Sequence, residues 1–234
     1  MSRLKELVAD TVSKRLFRSM RVTQVSERGP FREIGLTAVA SWTPGDKIQL
    51  RVARDGLTMR TYTPVRWDET TGDTTILSYL HGAGPGSVWA QNVAADDSVQ
   101  VVGPRRSIDL RRFSSAPIFV GDETSVGLRM AWTAAHPNLH PVRDIFEVGA
   151  DSPTALRALG LEPMLVAREE TDDHLPALVE QVVAAAAEHH ESPLILTGRS
   201  TTIAAIRRAL KAAGHAQRMT RVRTYWDPRR TGLD

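Results

Sequence analysis

The sequence predicts a β-barrel followed by an α/β domain, and three observations lead to this fold class. A chain of 234 residues, 41% of them hydrophobic, is long enough for one large domain or two modest ones. Residues 20–110 contain short apolar runs separated by turn residues, which is typical of an antiparallel barrel or sandwich. From about residue 113, strand-like and helix-like segments alternate. We therefore expect two domains, over residues 15–112 and 113–234.

The first half is expected to consist of short antiparallel strands. Its apolar runs are rich in Val, Ile, Thr and Leu, and turn residues such as Arg28-Gly29-Pro30 and Thr43-Pro44-Gly45 separate them. The predicted strands are, in chain order, MRVTQVSE, GLTAVAS, DKIQLRVAR, TTILSYL and DSVQVVG. A short helix is predicted within HGAGPGSVWAQN, at residues 81–92. It is shorter than the dozen or so residues of a parallel crossover, so we assign it to the barrel half.

The second half is expected to alternate strands with helices. Its predicted strands are APIFVGD, RDIFEVG, PMLVARE, PLILTG and RVRTYW. Its predicted helices are ETSVGLRMAWTAA, TALRALG, LPALVEQVVAAAAEHH and TTIAAIRRALKAAG, the last of which is ended by Gly214. Continuous apolar strands between helices indicate a parallel sheet that is covered on both faces. Because no long linker separates the halves, we expect them to pack against each other.

The composition excludes several classes of protein. The chain has no cysteine, which excludes disulfides, thiolate-bound iron–sulfur clusters, cysteine-based zinc sites and a catalytic thiol. Any redox chemistry therefore needs another cofactor. The 30 basic and 27 acidic side chains leave a net charge of +3, which is too small to predict nucleic-acid binding.

The N-terminal segment MSRLKELVADTVSKRLFRSM has apolar residues near helical spacing. It lacks the apolar region of a signal peptide, and no later run is as long as a membrane-spanning helix. We therefore expect a soluble cytoplasmic protein without membrane insertion. The sequence predicts no particular oligomeric state.

Two loops after predicted parallel strands carry small and polar residues. They are GDETS at residues 121–125 and TGRS at residues 197–200, and ligands of parallel sheets bind beyond the carboxyl ends of strands. Thr124 and Ser200 are candidates to cap the following helices and leave backbone N–H groups facing an anion. Ordinary capping explains each loop better when it is taken alone. Together they favour a nucleotide, because a nucleotide has a phosphate end and a ring end.

A third loop, at residues 81–92, is rich in glycine. Gly82, Gly84 and Gly86 are spaced two apart and Ser87 follows, so the G-x-G-x-x-G fingerprint of dinucleotide-binding folds is not matched. We interpret this segment as a phosphate loop of the barrel half.

The run MRTYTPVRW, residues 59–67, combines groups that suit a nucleotide cofactor. Arg60 offers paired donors to a phosphate, Tyr62 an apolar face with a polar tip, and Thr63 a hydroxyl for a ring nitrogen. Strand alternation points Arg60 and Tyr62 to the same side. The run therefore suits a cofactor with a pyrophosphate and a planar tricyclic ring, although an edge strand ending at Pro64 explains it equally well.

These stretches together carry a family resemblance. The chain is similar to siderophore-interacting proteins, which are flavin-dependent ferric-siderophore reductases of the ferredoxin-NADP reductase superfamily. It shares with them, in the same order, RTYTPVR, HGAGPGSVWA with VVGPRR, FVGDETS and the terminal YWDPRRTG. The similarity extends from about Phe17 to Gly232.

The resemblance implies an antiparallel FAD-binding barrel followed by a parallel-sheet NAD(P)H-binding domain, with FAD as cofactor and NAD(P)H as electron donor. It implies that the flavin phosphate and ring are held by Arg60, Tyr62 and Thr63, and that the pyrophosphate side is lined by His81, Gly84, Gly86 and Ser87. It places the nicotinamide near Asp122, Glu123 and Thr124, with the nucleotide site closed by Gly198, Ser200, Tyr225 and Trp226. No metal site is implied.

The chain departs from the family pattern at three positions. Arg199 replaces an acidic residue, Thr224 replaces a glycine, and Val65 is an extra residue between Pro64 and the following arginine. Arg199, together with Arg168 at the end of a predicted strand, is a candidate ligand of a 2′-phosphate, which slightly favours NADPH over NADH.

The implied reaction passes a hydride from NAD(P)H to the flavin and then electrons to a ferric siderophore or another small-molecule acceptor. We assign no side chain as an obligatory acid, base or nucleophile, because the cofactor carries the chemistry. Six arginines are candidates to attract an anionic chelate, although a solvated surface explains them better. They are Arg105, Arg106, Arg111, Arg112, Arg229 and Arg230.

Two other functions stay open at this point. One is an electron-transfer flavoprotein or flavin reductase that serves another acceptor, and the other is a non-redox nucleotide- or nucleic-acid-binding protein with the same fold. A hydrolase fits poorly, because Thr202 stands where a nucleophile elbow needs its second glycine. A zinc site at His136 and His140 also fits poorly, because Pro137 lies between them.

Overall fold

The computed structural model describes residues 17–37, 41–53, 58–68, 70–215 and 220–229. The predicted N-terminal helix lies outside these residues. Most of the first half is a sheet of seven strands, paired antiparallel in the order β4-β3-β7-β1-β2-β6-β5. Its strands are β1 (Arg18–Arg28), β2 (Phe31–Leu36), β3 (Lys47–Arg51), β4 (Met59–Tyr62), β5 (Pro64–Trp67), β6 (Thr74–Tyr79) and β7 (Ser98–Arg105).

The two outermost strands of this sheet are neighbours in the chain. Only Thr63 separates β4 from β5, although they stand at opposite ends of the strand order. The sheet must therefore curl until its ends meet, which gives a barrel with its seam at Thr63. The predicted antiparallel barrel is confirmed.

The barrel core follows the period of two that its strands predict. Alternate residues such as Met20 and Val22 in β1, or Ile48 and Leu50 in β3, are at most 2% exposed and share one apolar cluster. Helix α1 (Pro85–Asn92) follows β6 and has eight residues. Helix α1 lies in the barrel half, as we predicted because it is too short for a parallel crossover.

The second half contains five parallel strands in the order β10-β9-β8-β11-β12. They are β8 (Ile118–Gly121), β9 (Arg143–Val148), β10 (Met164–Ala167), β11 (Leu194–Arg199) and β12 (Thr220–Trp226). The helices between them are α2 (Val126–Ala135), α3 (Ser152–Ala158), α4 (Leu175–Glu188) and α5 (Ser200–Ala212), and the 3₁₀ turns are Leu110–Arg112 and Glu123–Ser125.

Successive residues of the parallel strands bury on opposite faces of the sheet. Ile118 and Val120 of β8 share a cluster with residues of α4 and α5, such as Val182 and Ile206. Phe119, between them, belongs instead to the cluster that contains residues of α2. Every residue of β8 is buried. The predicted parallel sheet with two covered faces is confirmed.

The two halves share one apolar cluster. Phe31, Val65 and Leu77 of the barrel belong to the same cluster as Trp132 of α2. Gly127 of α2 faces the barrel, because a Cβ there would lie in ordinary contact with the Thr63 carbonyl oxygen, at 3.6 Å. The second half is therefore packed on the seam of the barrel, and the boundary between residues 112 and 113 stays a prediction.

Within the described ranges, every helix is too short or too polar to cross a lipid bilayer.

Candidate functional site

A cleft of about 870 Å³ lies between the barrel and the carboxyl end of the parallel sheet. Eleven of the fourteen predicted site residues line it, and they are Arg60, Tyr62, Thr63, His81, Gly84, Gly86, Ser87, Glu123, Thr124, Tyr225 and Trp226. The other three, Asp122, Gly198 and Ser200, are connected to lining residues from behind. The fold thus gathers residues from four separate stretches of sequence at one place.

The barrel side of the cleft consists of β4 and the glycine-rich loop before α1. A Cβ on Gly86 would lie 3.1 Å from Arg60 Cγ and 3.5 Å from Tyr62 Oη, so glycine lets the loop approach both side chains. A Cβ on Gly84 would meet nothing within 4 Å. The buried Ser87 hydroxyl accepts from His81 N at 3.0 Å and donates to His81 O at 2.9 Å. Ser87 therefore holds the loop closed while Gly84 borders open space.

Thr63 is predicted to offer its hydroxyl to a ring nitrogen. In the structure its side chain lies beside that of Tyr225 of β12, and burial raises the pKa of Tyr225 to about 12. The phenol is therefore neutral at physiological pH. The two residues bring the barrel seam next to the last strand of the parallel sheet.

Asp122 lies behind the cleft and is fully buried. Its Oδ1 accepts from Thr124 N at 2.8 Å and its Oδ2 from Trp226 Nε1 at 2.7 Å. Burial raises the pKa of Asp122 to about 6, against the opposing effect of the hydrogen bonds from Thr124 and Trp226. Gly198 has φ +104°, and a Cβ there would lie 2.4 Å from Asp122 Oδ2. Asp122 and Gly198 therefore support the Trp226 side of the cleft without lining it.

The predicted capping by Thr124 and Ser200 is wrong. Asp122 caps the 3₁₀ turn Glu123–Ser125 by accepting from Thr124 N, because its carboxylate stands at the N-cap position itself. Ser200 is already the first residue of α5, with Arg199 at the N-cap, and its Oγ donates to Asp227 Oδ2 at 2.7 Å. Asp227 lines the cleft, so Ser200 supports the site through this contact.

Glu123 is the centre of a buried polar network. Its Oε1 accepts from Gly149 N at 2.7 Å, Ser152 Oγ at 2.9 Å and Tyr79 Oη at 3.2 Å. Both terminal nitrogens of Arg168 donate to the carboxylate, at 2.9 and 3.0 Å. Sequence reasoning did not include Tyr79 in the site. The available signal was strand alternation, since Tyr79 is two residues before His81.

The two arginines predicted to bind a 2′-phosphate are both ion-paired. Arg168 is paired with Glu123, and Arg199 with Asp172. Their guanidinium carbons lie 5.8 Å and 5.6 Å from the centroid of the Trp226 ring. Because carboxylates already engage both side chains, they give little support to NADPH over NADH, and the choice of donor stays a prediction.

The structure describes five of the six arginines suggested for an anionic chelate, and their surroundings differ. Arg106 lines the cleft, whereas Arg111 and Arg112 pair with Asp109, at 3.1 and 3.4 Å. Arg229 pairs with Asp227 at 3.5 Å, Arg105 is exposed at the end of β7, and Arg230 lies outside the described residues. Lys47, which the sequence analysis did not consider, also lines the cleft.

The cleft residues fit a dinucleotide cofactor. The volume is within the roughly 300–1,000 Å³ range of small-molecule sites. Helix α1 begins at the open Gly84, which has no side chain to cap it, and the N-terminus of a helix favours an anion. Arg60 is adjacent to this loop through Gly86, and Tyr62 adds an aromatic face. The barrel side therefore combines a place for a pyrophosphate with a surface for a planar ring.

Comparisons with known proteins agree with this geometry. Residues 19–108 match the family model of the siderophore-interacting FAD-binding domain. No curated protein sequence matches the chain.

Three solved structures have a similar fold. The chain resembles a siderophore utilization protein from T. fusca, with a TM-score of 0.71, 23% identity and coverage of 93% of this chain and 95% of that chain. It resembles the siderophore-interacting protein SipS from Aeromonas hydrophila, with a TM-score of 0.71, 20% identity and coverage of 92% and 93%. It also resembles a ferredoxin-NADP⁺ reductase from Plasmodium falciparum, with a TM-score of 0.65, 11% identity and coverage of 89% and 96%. Residues 19–108 therefore match the siderophore-interacting FAD-binding domain family, as the sequence resemblance indicated, and the fold of the chain is similar to that of a ferredoxin-NADP⁺ reductase.

Proposed function

We propose that this protein is a FAD-dependent oxidoreductase that takes a hydride from NAD(P)H and reduces a ferric siderophore, or a similar ferric chelate, to release iron. The observation that carries the proposal is the single cleft between the barrel and the parallel sheet. One wall of that cleft belongs to a FAD-binding domain family. The other wall is the carboxyl end of a parallel sheet, where nucleotides bind in such folds.

On the barrel side, Arg60 and the loop around Gly84 and Gly86 would hold the pyrophosphate of FAD. Tyr62 would lie against the ring system, and Ser87 would keep the loop in its bound shape through its two hydrogen bonds to His81. Bound FAD supplies the chemistry of accepting a hydride and passing electrons on singly. The side chains bind and orient, and none of them needs to act as a nucleophile.

On the parallel-sheet side, Glu123, Thr124 and Trp226 would receive the nicotinamide of the donor. Trp226 is held by its hydrogen bond to Asp122 at 2.7 Å, and Glu123 by partners from three neighbouring segments. This wall is therefore rigid before any ligand binds, and it would align the donor against the flavin.

A ferric chelate would reach the open rim of the cleft. Lys47 and Arg106 line this cleft and would attract an anionic chelate. One hydride supplies two electrons and each ferric ion accepts one, so two ferric ions are reduced per nicotinamide. Oxygen-rich chelators bind the softer ferrous ion less tightly, so iron is released. We place this reaction in the cytoplasm, where reduced nicotinamide is supplied.

The test is iron release by the purified, FAD-loaded protein. Ferric siderophores of several chelating classes are supplied with NADH or NADPH under anaerobic conditions, and a chromogenic ferrous chelator reports the product. Ferrous iron that forms only with protein, FAD and a nicotinamide together would support the proposal. Oxidation of nicotinamide with free flavin but with no ferric chelate would instead indicate a flavin reductase.

A further inference from the structure

We propose that Glu123 is a positioning residue that fixes the flavin side of the cleft against the donor side through the hydroxyl group of Tyr79. This inference rests on the proposed function, because it concerns how the two walls of that same site are held together.

The Glu123 carboxylate is held in place by its own half of the molecule. Its side chain is 1% exposed. Gly149 follows β9, Ser152 begins α3 and Arg168 follows β10, and all three donate hydrogen bonds of 2.7–3.0 Å to it. Charge-assisted hydrogen bonds of this kind are strong and directional. The position of each carboxylate oxygen is therefore set by the ends of neighbouring parallel strands.

Tyr79 brings the barrel to this fixed carboxylate. It is the last residue of β6, and its Oη donates to Glu123 Oε1 at 3.2 Å. Burial and the adjacent Glu123 carboxylate raise the pKa of Tyr79, so its hydroxyl keeps the proton that it donates. The hydrogen bond therefore joins the end of a barrel strand to the donor wall of the cleft.

The ring of Tyr79 continues the connection to the flavin loop. It stacks on the ring of His81, with 5.4 Å between centroids and 21° between planes. The backbone of His81 is in turn bonded to the Ser87 hydroxyl. Glu123, Tyr79, His81 and Ser87 thus form a continuous chain of contacts from the donor wall to the pyrophosphate loop. A change in this chain would alter the distance over which a hydride moves, to which transfer rates are very sensitive.

Three variants separate this role from general stability. Tyr79→Phe keeps the aromatic stack and removes the hydroxyl. Glu123→Gln keeps the size of the side chain and removes its charge. Arg143→Ala is the control, because this arginine forms an exposed pair with Glu188 at 3.1 Å and does not line the cleft.

The first measurement is the anaerobic rate at which NADH or NADPH reduces the bound FAD. We expect Tyr79→Phe and Glu123→Gln each to slow reduction by about tenfold to a hundredfold. The double variant should be no slower than the slower single one, because both changes remove the same connection. Arg143→Ala should stay within about twofold of the parent. A Tyr79→Phe protein that is reduced at the parent rate, or a double variant slowed by the product of the single effects, would overturn the proposal.

The second measurement does not depend on turnover. The visible circular dichroism of bound FAD and the chemical unfolding of the FAD-loaded protein are recorded for the same variants. We expect a changed flavin spectrum in Tyr79→Phe and Glu123→Gln but not in Arg143→Ala, and non-additive unfolding free energies for the Tyr79–Glu123 pair. If neither nicotinamide reduces the parent protein, the proposed function fails. The positioning role then depends on this second measurement, and additive unfolding free energies with unchanged spectra would reject it.

Discussion

The two walls of the cleft are built on different principles. On the barrel side the glycine-rich loop is open, since Gly84 borders empty space and His81 is exposed. On the parallel-sheet side the polar groups are buried, with Asp122 0% and Glu123 2% exposed, and each has several hydrogen-bond partners within the protein. The open wall suits direct binding of a charged cofactor, and the buried wall suits the precise placement of a second ligand.

This difference explains why the same residue type has opposite roles on the two sides. Gly84 lies in the loop after β6, and Gly198 lies near the end of strand β11. Gly84 leaves room for a ligand, whereas Gly198 leaves room for the Asp122 carboxylate of the protein itself. A glycine near a cleft therefore indicates that another group lies close to the backbone. Only the structure shows whether this group is a ligand or part of the protein.

The largest expected effect on stability comes from a substitution in the buried wall. Gly198→Ala places a Cβ 2.4 Å from Asp122 Oδ2 at a positive φ, so we expect it to lower the free energy of unfolding by about 3 kcal/mol or more. Gly84→Ala is the matched control, since its φ of −65° suits alanine and nothing lies within 4 Å. It should change stability by less than about 0.5 kcal/mol. Equal losses in denaturant titrations of the two variants would refute the contrast between the walls.

The pH dependence of stability tests the burial of Asp122. Because burial raises its pKa from the ordinary value of 3.8 to about 6, the folded protein binds this proton more tightly than the unfolded chain. The stabilisation from protonated Asp122 is fully present below about pH 4 and is lost as the pH rises through about 6. The full loss lowers the free energy of unfolding by about 3 kcal/mol. Asp122→Asn removes this titration. Unfolding free energies of both proteins between pH 4 and 7 should converge or cross, and a constant difference would contradict the assignment.

The open wall is tested through FAD affinity. Arg60→Ala removes a guanidinium next to the pyrophosphate loop, and we expect FAD to bind about tenfold to a hundredfold more weakly while the fold stays intact. Arg143→Ala is a suitable control, because this arginine forms an exposed pair with Glu188 at 3.1 Å, away from the cleft. Fluorescence titration of FAD measures both. Unchanged affinity in Arg60→Ala would remove this residue from the site.

The smallest expected effect concerns the barrel seam at Thr63, which lies next to the parallel-sheet wall. Tyr225→Phe removes the hydroxyl group beside Thr63, which we expect to lower the free energy of unfolding by about 1 kcal/mol. Because the two side chains are neighbours, adding Thr63→Val should cost less than Thr63→Val alone. Chemical unfolding of the single and double variants gives the comparison, and fully additive losses would show that the two side chains act independently.

The fold could be predicted from sequence because its signals are local. Alternation in runs such as DKIQLRVAR and continuous apolar runs such as APIFVGD distinguish barrel strands from buried parallel strands. Both signals depend only on neighbouring residues, and the structure places strands at both. The closure of the barrel at Thr63 could not be predicted in this way, because it depends on which strands are at the ends of the sheet.

The site was predicted less completely than the fold. Arg60, Tyr62 and the glycine-rich loop were found from their chemistry, and the structure brings them together. The partners of Glu123 and Asp122 were not found, since Arg168, Ser152 and Trp226 are far away in sequence. The ion pairs of Arg168 and Arg199 were not found for the same reason, because only the fold shows the carboxylates that pair with them.

The most direct test of the central claim is the visible absorption spectrum of the purified protein with added FAD, followed anaerobically. We predict a bound-flavin spectrum that bleaches when NADPH or NADH is added and returns when a ferric siderophore follows. Bleaching without recovery would keep the flavoenzyme but contradict the ferric acceptor. A protein that binds no FAD at all would contradict the whole account of the cleft.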